Sequence, residues 1–258
     1  MLLTDTLIDE LHAFRVGTMA RAAKALAPEF PSIAGTSIGS GYAIFAGDGS
    51  PLTQVYGVGH RDSDFDLAEI ESFFQGKASN WELIVTPFTN HALLHAATNV
   101  GYVIDHFETV LAQHSAPQEC ILGPGIEIEE VEGDFKEWSI VSEAGWTGQE
   151  VLLDEPSELG KVIAAYPARR FLARIDGEGA ATAALGEFEG KFVFSGASTR
   201  PQYRGRGLQT ALTQHRLREA GVGSFVQVTA LPGSQSHRNL QRIGFEPLYS
   251  KVVLYRRG

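Results

Sequence analysis

The chain has 258 residues, 43% of them hydrophobic, a formal net charge of −10 and a single cysteine, Cys120. That size suits one large domain or two small ones with a real core, and no apolar run reaches the ~18 residues a membrane-spanning helix needs. The acidic balance argues against a nucleic-acid partner, which requires a basic surface, and one cysteine excludes an intrachain disulfide, so a reducing cytoplasm is the expected home. Met1-Leu2-Leu3-Thr4-Asp5 has neither the positive nor the apolar region of a signal peptide.

An opening helix is expected over 6–26. Strands follow at Gly41–Ala46 and Thr53–Gly59, separated by a Gly-Asp-Gly turn. The pattern then predicts a helix from Asp66 to Gln75, a strand at Trp81–Val85, a helix from Asn90 to Asn99 and, after Gly101-Tyr102, a strand at Phe107–Leu111. His114 to Glu119 has linker composition. The second half opens with the alternating strand Ile126–Val131 and helices at 134–146 and 156–165. Three strands follow, Phe171–Ile175, Ala181–Phe188 and Lys191–Thr199, joined by Asp176-Gly177 and Glu189-Gly190 turns. A glycine-rich stretch, Pro201-Gln202-Tyr203-Arg204-Gly205-Arg206-Gly207, leads into a helix over Leu208–Ala220. A strand at Ser224–Thr229, a helix capped by Ser234 and ending at Gly244, and a last strand from Phe245 complete the chain.

Strand, glycine turn and helix start together aim unpaired backbone N–H groups at one spot, at the positive end of a helix dipole. That spot suits a phosphate or diphosphate. Gly205 and Gly207 let the backbone approach closely, and Arg204 and Arg206 add positive charge. Arg216 and Arg218, further along the helix, read as an ordinary solvated face.

Pro201 to Leu208 resembles the acyl-CoA loop of the GNAT N-acetyltransferases, Gln/Arg-x-x-Gly-x-Gly/Ala. Arg204 takes the first position and Gly207 the middle glycine, with Gln209 where Gly or Ala is usual; a slipped alignment from Gln202 to Gly207 fits the letters but less well the lead-in. The downstream order of helix, strand, helix, Ile243-Gly244-Phe245 and strand is similar to the family's as well. The resemblance implies an α+β fold: a mixed, mostly antiparallel sheet flanked by helices. The N-terminal half repeats that order faintly, with Gly101-Tyr102 matching Gly244-Phe245. Its equivalent loop, His60 to Asp66, lacks Gly-x-Gly and carries three carboxylates. We therefore expect a tandem, pseudo-twofold pair. Residues 1–115 would form a degenerate domain that does not bind CoA, and 122–258 an acetyltransferase domain. Each half ends in one strand where the family has two, so each needs the other to complete its sheet or cover an edge.

By the resemblance, acetyl-CoA is the cosubstrate and an amine of a small molecule or peptide the acceptor. Backbone groups of Ala197, Ser198 and Thr199 would bind the pantetheine arm. Amides of Arg204, Gly205, Arg206, Gly207, Leu208 and Gln209, with Thr210, would hold the diphosphate. Ser234, Ser236 and Asn239 would reach the pantetheine or sulfur. The catalytic signature departs from the family: Leu240 stands where its tyrosine acid is usual, and the strand Lys191–Thr199 has no carboxylate. His237, Tyr249, Tyr255 and Ser236 remain as acid or base candidates, beside a water chain. A CoA-binding sensor without turnover is the alternative. A Rossmann dinucleotide site ranks last, since the loop comes late, after antiparallel hairpins, and no third glycine follows. The oligomeric expectation is a monomer acting as an intramolecular pseudo-dimer, or a homodimer.

His91 and His95 have metal-ligand spacing but lack the glutamate of His-Glu-x-x-His and a third ligand, so no metal is expected. Cys120 has no paired histidine and reads as inert. Trp81, Trp138 and Trp146 read as core or pocket lining.

Overall fold

The structure, a computed structural model, describes residues 2–116 and 122–256. In chain order the first elements are α1 (Asp5–Leu26), β1 (Ala34–Ile38), β2 (Gly41–Phe45), β3 (Gln54–Tyr56), α2 (Leu67–Phe74), β4 (Glu82–Val85), α3 (His91–Asn99) and β5 (Tyr102–His114). There follow β6 (Ile126–Val131), α4 (Lys136–Thr147), α5 (Glu158–Ala165), β7 (Arg169–Ile175), β8 (Glu178–Phe188) and β9 (Lys191–Thr199). A 3-10 turn at Pro201–Tyr203, α6 (Leu208–Ala220), β10 (Phe225–Ala230), α7 (Gln235–Arg242) and β11 (Glu246–Arg256) close the chain. The expected linker lies partly, and Cys120 wholly, outside the described residues. No helix among them is long and apolar enough to cross a membrane.

Local chemistry explains most boundaries. The Asp66 carboxylate accepts from the N–H groups of Ala68 and Glu69 and starts α2; Asn90, Ser157 and Ser234 cap α3, α5 and α7 in the same way. Asp176-Gly177 and Glu189-Gly190 both have positive φ at both residues, which suits two-residue hairpins. Strand β1 has no counterpart in the sequence reading, because Ala-Gly-Thr-Ser lacks the apolar alternation that marks a strand. It exists by pairing antiparallel with β2, Ala34 opposite Phe45 through Ile38 opposite Gly41. β5 is also longer than expected at both ends.

Packing divides the chain into two compact units. The first holds Met1–Val110, Ala230–Pro232 and Pro247–Gly258; the second holds Leu111–Thr229 and Gly233–Glu246. A single cut between residues 115 and 122 does not separate them. Strand order in the first unit is β1-β2-β3-β4-β11-β5, with β11 antiparallel to β4 and Val252 opposite Val85. In the second it is β5-β10-β9-β8-β7-β6, where β5 contributes its last residues, Leu111–His114. Each unit thus contains strand residues from the other half of the sequence. The ladders β3–β4 and β9–β10 are parallel, and β1–β2, β2–β3, β4–β11, β6–β7, β7–β8 and β8–β9 are antiparallel.

The first core joins Val55, Leu83 and Val85 of the sheet to Ile70, Phe74 and Leu93 of the helices. Trp81 stacks on Phe74 at 4.8 Å and donates its indole N–H to the Tyr102 hydroxyl. The second core packs Trp138 and Val141 on Leu172 and Ala184. Trp138 donates to the Phe171 carbonyl, so its polar edge is satisfied inside the core. Trp146 is 70% exposed and belongs to neither.

Candidate functional site

The glycine-rich stretch forms the turn expected of it. Gly205 and Gly207 both sit at φ 79°, a left-handed conformation that costs a residue with a Cβ ~1–2 kcal/mol. A Cβ at either position would meet nothing within 4 Å, so conformation, not crowding, demands glycine here, and the space above the turn is open. Gly207 caps α6 without a side-chain acceptor. The N–H groups of Leu208, Gln209 and Thr210 lie in the first helical turn and have no carbonyl four residues back within the helix. Ala211 is the residue whose N–H closes back onto the Gly207 carbonyl, at 3.0 Å. Buried Leu208 and Leu212 anchor the helix start. The arrangement fits an anion with several acceptor oxygens.

The surrounding arginines differ in role. Arg204 donates to the Gly145 carbonyl at 2.9 Å and the Thr199 carbonyl at 3.2 Å, tying the turn to α4 and to the end of β9. Arg206 stays exposed and lies over the Tyr203 ring, whose other neighbour is the buried Arg200. The Tyr203 hydroxyl donates to Glu178. Arg218 is exposed, as expected, but Arg216 is not a solvated residue. It is 2% exposed, stacks on Phe194 at 4.0 Å, and donates to the carbonyls of Ala184 at 3.0 Å and Ser195 at 3.3 Å. Burial pulls its guanidinium down to about 9, so it stays charged at neutral pH.

Beside the turn, β9 parts from β10. Their ladder pairs Phe192, Val193 and Phe194 with Val226, Gln227 and Val228, yet β9 runs on to Thr199. Over that stretch β9 follows β8, with Ser198 opposite Thr182 and Thr199 opposite Ala181. A bulge between these pairs and the Ser195–Ala184 pair, with Gly196 at φ 59°, bends the strand as it leaves β10. Arg216 supplies a donor to the Ser195 carbonyl just before that bend. Gly145 of α4 lies so near that a Cβ would fall 1.9 Å from the Ser198 hydroxyl. Ala197 is exposed along the diverging segment, while Ser198 is buried and donates to the Ser142 carbonyl at 2.8 Å.

The candidate catalytic residues do not gather here. Tyr249 and Tyr255 fall in the first unit, because β11 does. Tyr249 packs on Phe88 at 5.2 Å and shares a hydrogen bond with Tyr56; burial, then the neighbouring phenol, push its hydroxyl well above the ordinary tyrosine range. Tyr255 pairs with Glu82. His237 does lie in the second unit, in the first turn of α7. Its Nδ1 accepts the Gly233 N–H at 3.0 Å, and its Nε2 is out of solvent contact. Neither ring nitrogen is offered to an incoming amine. Ser234 is engaged as the α7 cap, and Asn239 accepts from Gln235 and Arg242 through Oδ1. Ser236 is exposed on α7.

No protein-family model matches the chain, and no curated protein matches it in sequence. Solved structures do match it over nearly its full length. A GCN5-related N-acetyltransferase from Kribbella flavida is 19% identical, with 98% of this chain and 96% of that one covered and a TM-score of 0.66. A tandem GNAT protein from the clavulanic acid biosynthesis pathway is 13% identical over 96% and 95%, with a TM-score of 0.55. A GCN5-related N-acetyltransferase-like protein from Streptococcus suis is 12% identical over 93% and 98%, with a TM-score of 0.50.

The fold is that of the GNAT proteins, in tandem. In the first unit the parallel pair β3–β4 corresponds to β9–β10, with Tyr56 opposite Ile84 as its last rung. There the strands do not stay apart. His60 bridges to Thr89, Asn90 donates to the Gly59 carbonyl at 2.7 Å, and Arg61 donates to the Phe88 carbonyl at 2.8 Å. Side chains of α1 cover the loop: the His12 and His60 rings stack at 3.9 Å, His60 reaches Asp9 at 3.0 Å, and Arg61 binds Asp9 and Asp5. Hydrogen bonds from His60 and Arg61 hold the Asp9 carboxyl below the usual range. His91 and His95 are exposed on α3, and among the described residues no group of three or more His, Cys, Asp and Glu is placed to hold a metal ion.

Proposed function

We propose that the second unit is an acyl-CoA-dependent N-acyltransferase that moves acetyl from acetyl-CoA to a primary amine. The observation that carries this is the pairing of an open, glycine-made cluster of amide donors at the start of α6 with a strand, β9, that has left its parallel neighbour. Amides from Gly205 to Thr210 bind the diphosphate. The pantetheine arm lies along Ala197, Ser198 and Thr199, past the last rung that β9 shares with β10. A backbone N–H of the same strand stabilises the oxyanion formed at the thioester carbonyl. The acceptor nitrogen attacks that carbon, a C–N bond forms, the C–S bond breaks, and CoA leaves as the thiolate. The proton of the new ammonium passes to water, since His237 has one nitrogen engaged and the other covered. The first unit, with its gap bridged and its loop covered by α1, does not take CoA.

Titration calorimetry with acetyl-CoA, followed by free-thiol release over a panel of amines, tests this reading. Saturable binding with amine-dependent thiol release is the expected result. Binding with no release across the panel makes the protein a sensor of CoA, and no binding ends the proposal.

A further inference from the structure

We infer that the side chain of Gln209 is a positioning residue for the pantetheine arm, an inference that rests on the function proposed above. The position is the one where the resembling pattern carries Gly or Ala, neither of which can reach beyond its own backbone. Here the residue sits in the first turn of α6 and extends its amide to β9. Nε2 lies 2.7 Å from the Ser198 carbonyl oxygen and 2.9 Å from Thr199 Oγ1, with the Thr182 carbonyl oxygen of β8 at 3.4 Å. The first two contacts have good hydrogen-bond lengths; the third is too long to add much.

Ser198 and Thr199 are the last residues of β9, past the rungs shared with β10 and past the bulge at Gly196. A strand end that has lost one neighbour is an edge, free to shift unless something else holds it. β8 holds it from the side and Ser142 of α4 through the Ser198 hydroxyl. Gln209 links it to the same helical turn whose amides face the diphosphate. Together with Arg204 on the Thr199 carbonyl, it fixes the spacing of the arm and diphosphate sites, and an edge already in place loses less entropy on binding. The diphosphate donors themselves are backbone groups, which removal of the side chain leaves intact.

The test compares CoA with 3′-phospho-ADP, which carries the nucleotide and diphosphate but no arm, on wild type, Gln209→Ala and Gln209→Met. The Met variant keeps the volume and loses the donor, so it separates hydrogen bonding from packing. Thermal melts confirm that each variant is folded. Both variants are expected to bind CoA on the order of tenfold more weakly, the effect of losing one or two good hydrogen bonds, with 3′-phospho-ADP affinity within about twofold of wild type. Unchanged CoA affinity overturns the inference. So does an equal loss for both ligands, which makes Gln209 a support of the turn and not of the arm. Wild type that binds neither ligand overturns the proposed function and takes this inference with it.

Discussion

At Gly207 a backbone requirement and a ligand requirement coincide. Its left-handed φ excludes ordinary side chains cheaply, while the open space above it admits an anion. Gly207→Asp adds strain of ~1–2 kcal/mol, tolerable in a folded unit, and places a carboxylate against the diphosphate. We expect a protein that melts within a few degrees of wild type, on the order of that strain, and gives no heat with CoA. A folded variant of unchanged affinity would refute the assignment of the turn. Much of this site is written in the sequence, because glycine at the turn and serine at a helix cap are local demands. Arg216 was less legible, since a charged residue on a helix reads as surface. Its spacing carried the signal: Leu208, Leu212 and Arg216 stand four apart on one stripe, and the first two are buried. Tyr249 and Tyr255 belong to the first unit for a reason the sequence does not carry, since no local pattern records which neighbours a terminal strand joins.

Among elements, the contact of α1 with the loop 57–63 is the one most sensitive to acid. Burial lowers the affinity of His12 for protons, and the stacked His60 ring lowers it further. Its Nε2 donates to the Ser40 carbonyl at 2.8 Å, and the other ionisable groups about it are Asp5 and Asp9 of α1, His60 and Arg61 of the loop, and Tyr56 of β3. With its folded value below the unfolded 6.5, the unfolded chain binds the proton more readily. The stabilising effect is therefore full above about pH 6.5 and fades as the pH falls through the folded value. Melting temperature should drop as pH is lowered from 7 to 5, with a shallower slope in His12→Gln. His215, also depressed by burial, leaves a residual slope of the same sign in the second unit. Equal slopes in variant and wild type would show that the stack does not couple to folding. Helix α1 itself is legible in the sequence, but not this covering role, which depends on side chains more than 40 residues apart.

For the whole molecule, the consequence of the fold is that neither half of the sequence contains a complete unit. The single strand after each Gly-aromatic pair points to this, and the strand order agrees: β11 stands beside β4, and the end of β5 beside β10. What stayed hidden was the boundary, because a strand shared along its length leaves no break in composition. A chain ending at Phe245 keeps every residue of the first unit up to Val110 but lacks β11. Amide exchange in α2 and β4 should then lose protection, while wild type protects both; full protection without β11 would mean the strand is not needed there. Where an acyl carrier binds decides the function, and a crystal structure of the protein with CoA measures that directly. It should show the diphosphate within hydrogen-bond reach of the amides of Gly205 to Thr210 and the arm alongside Ala197 to Thr199, with the first unit empty. Density for CoA in the first unit, or away from the start of α6, would contradict it.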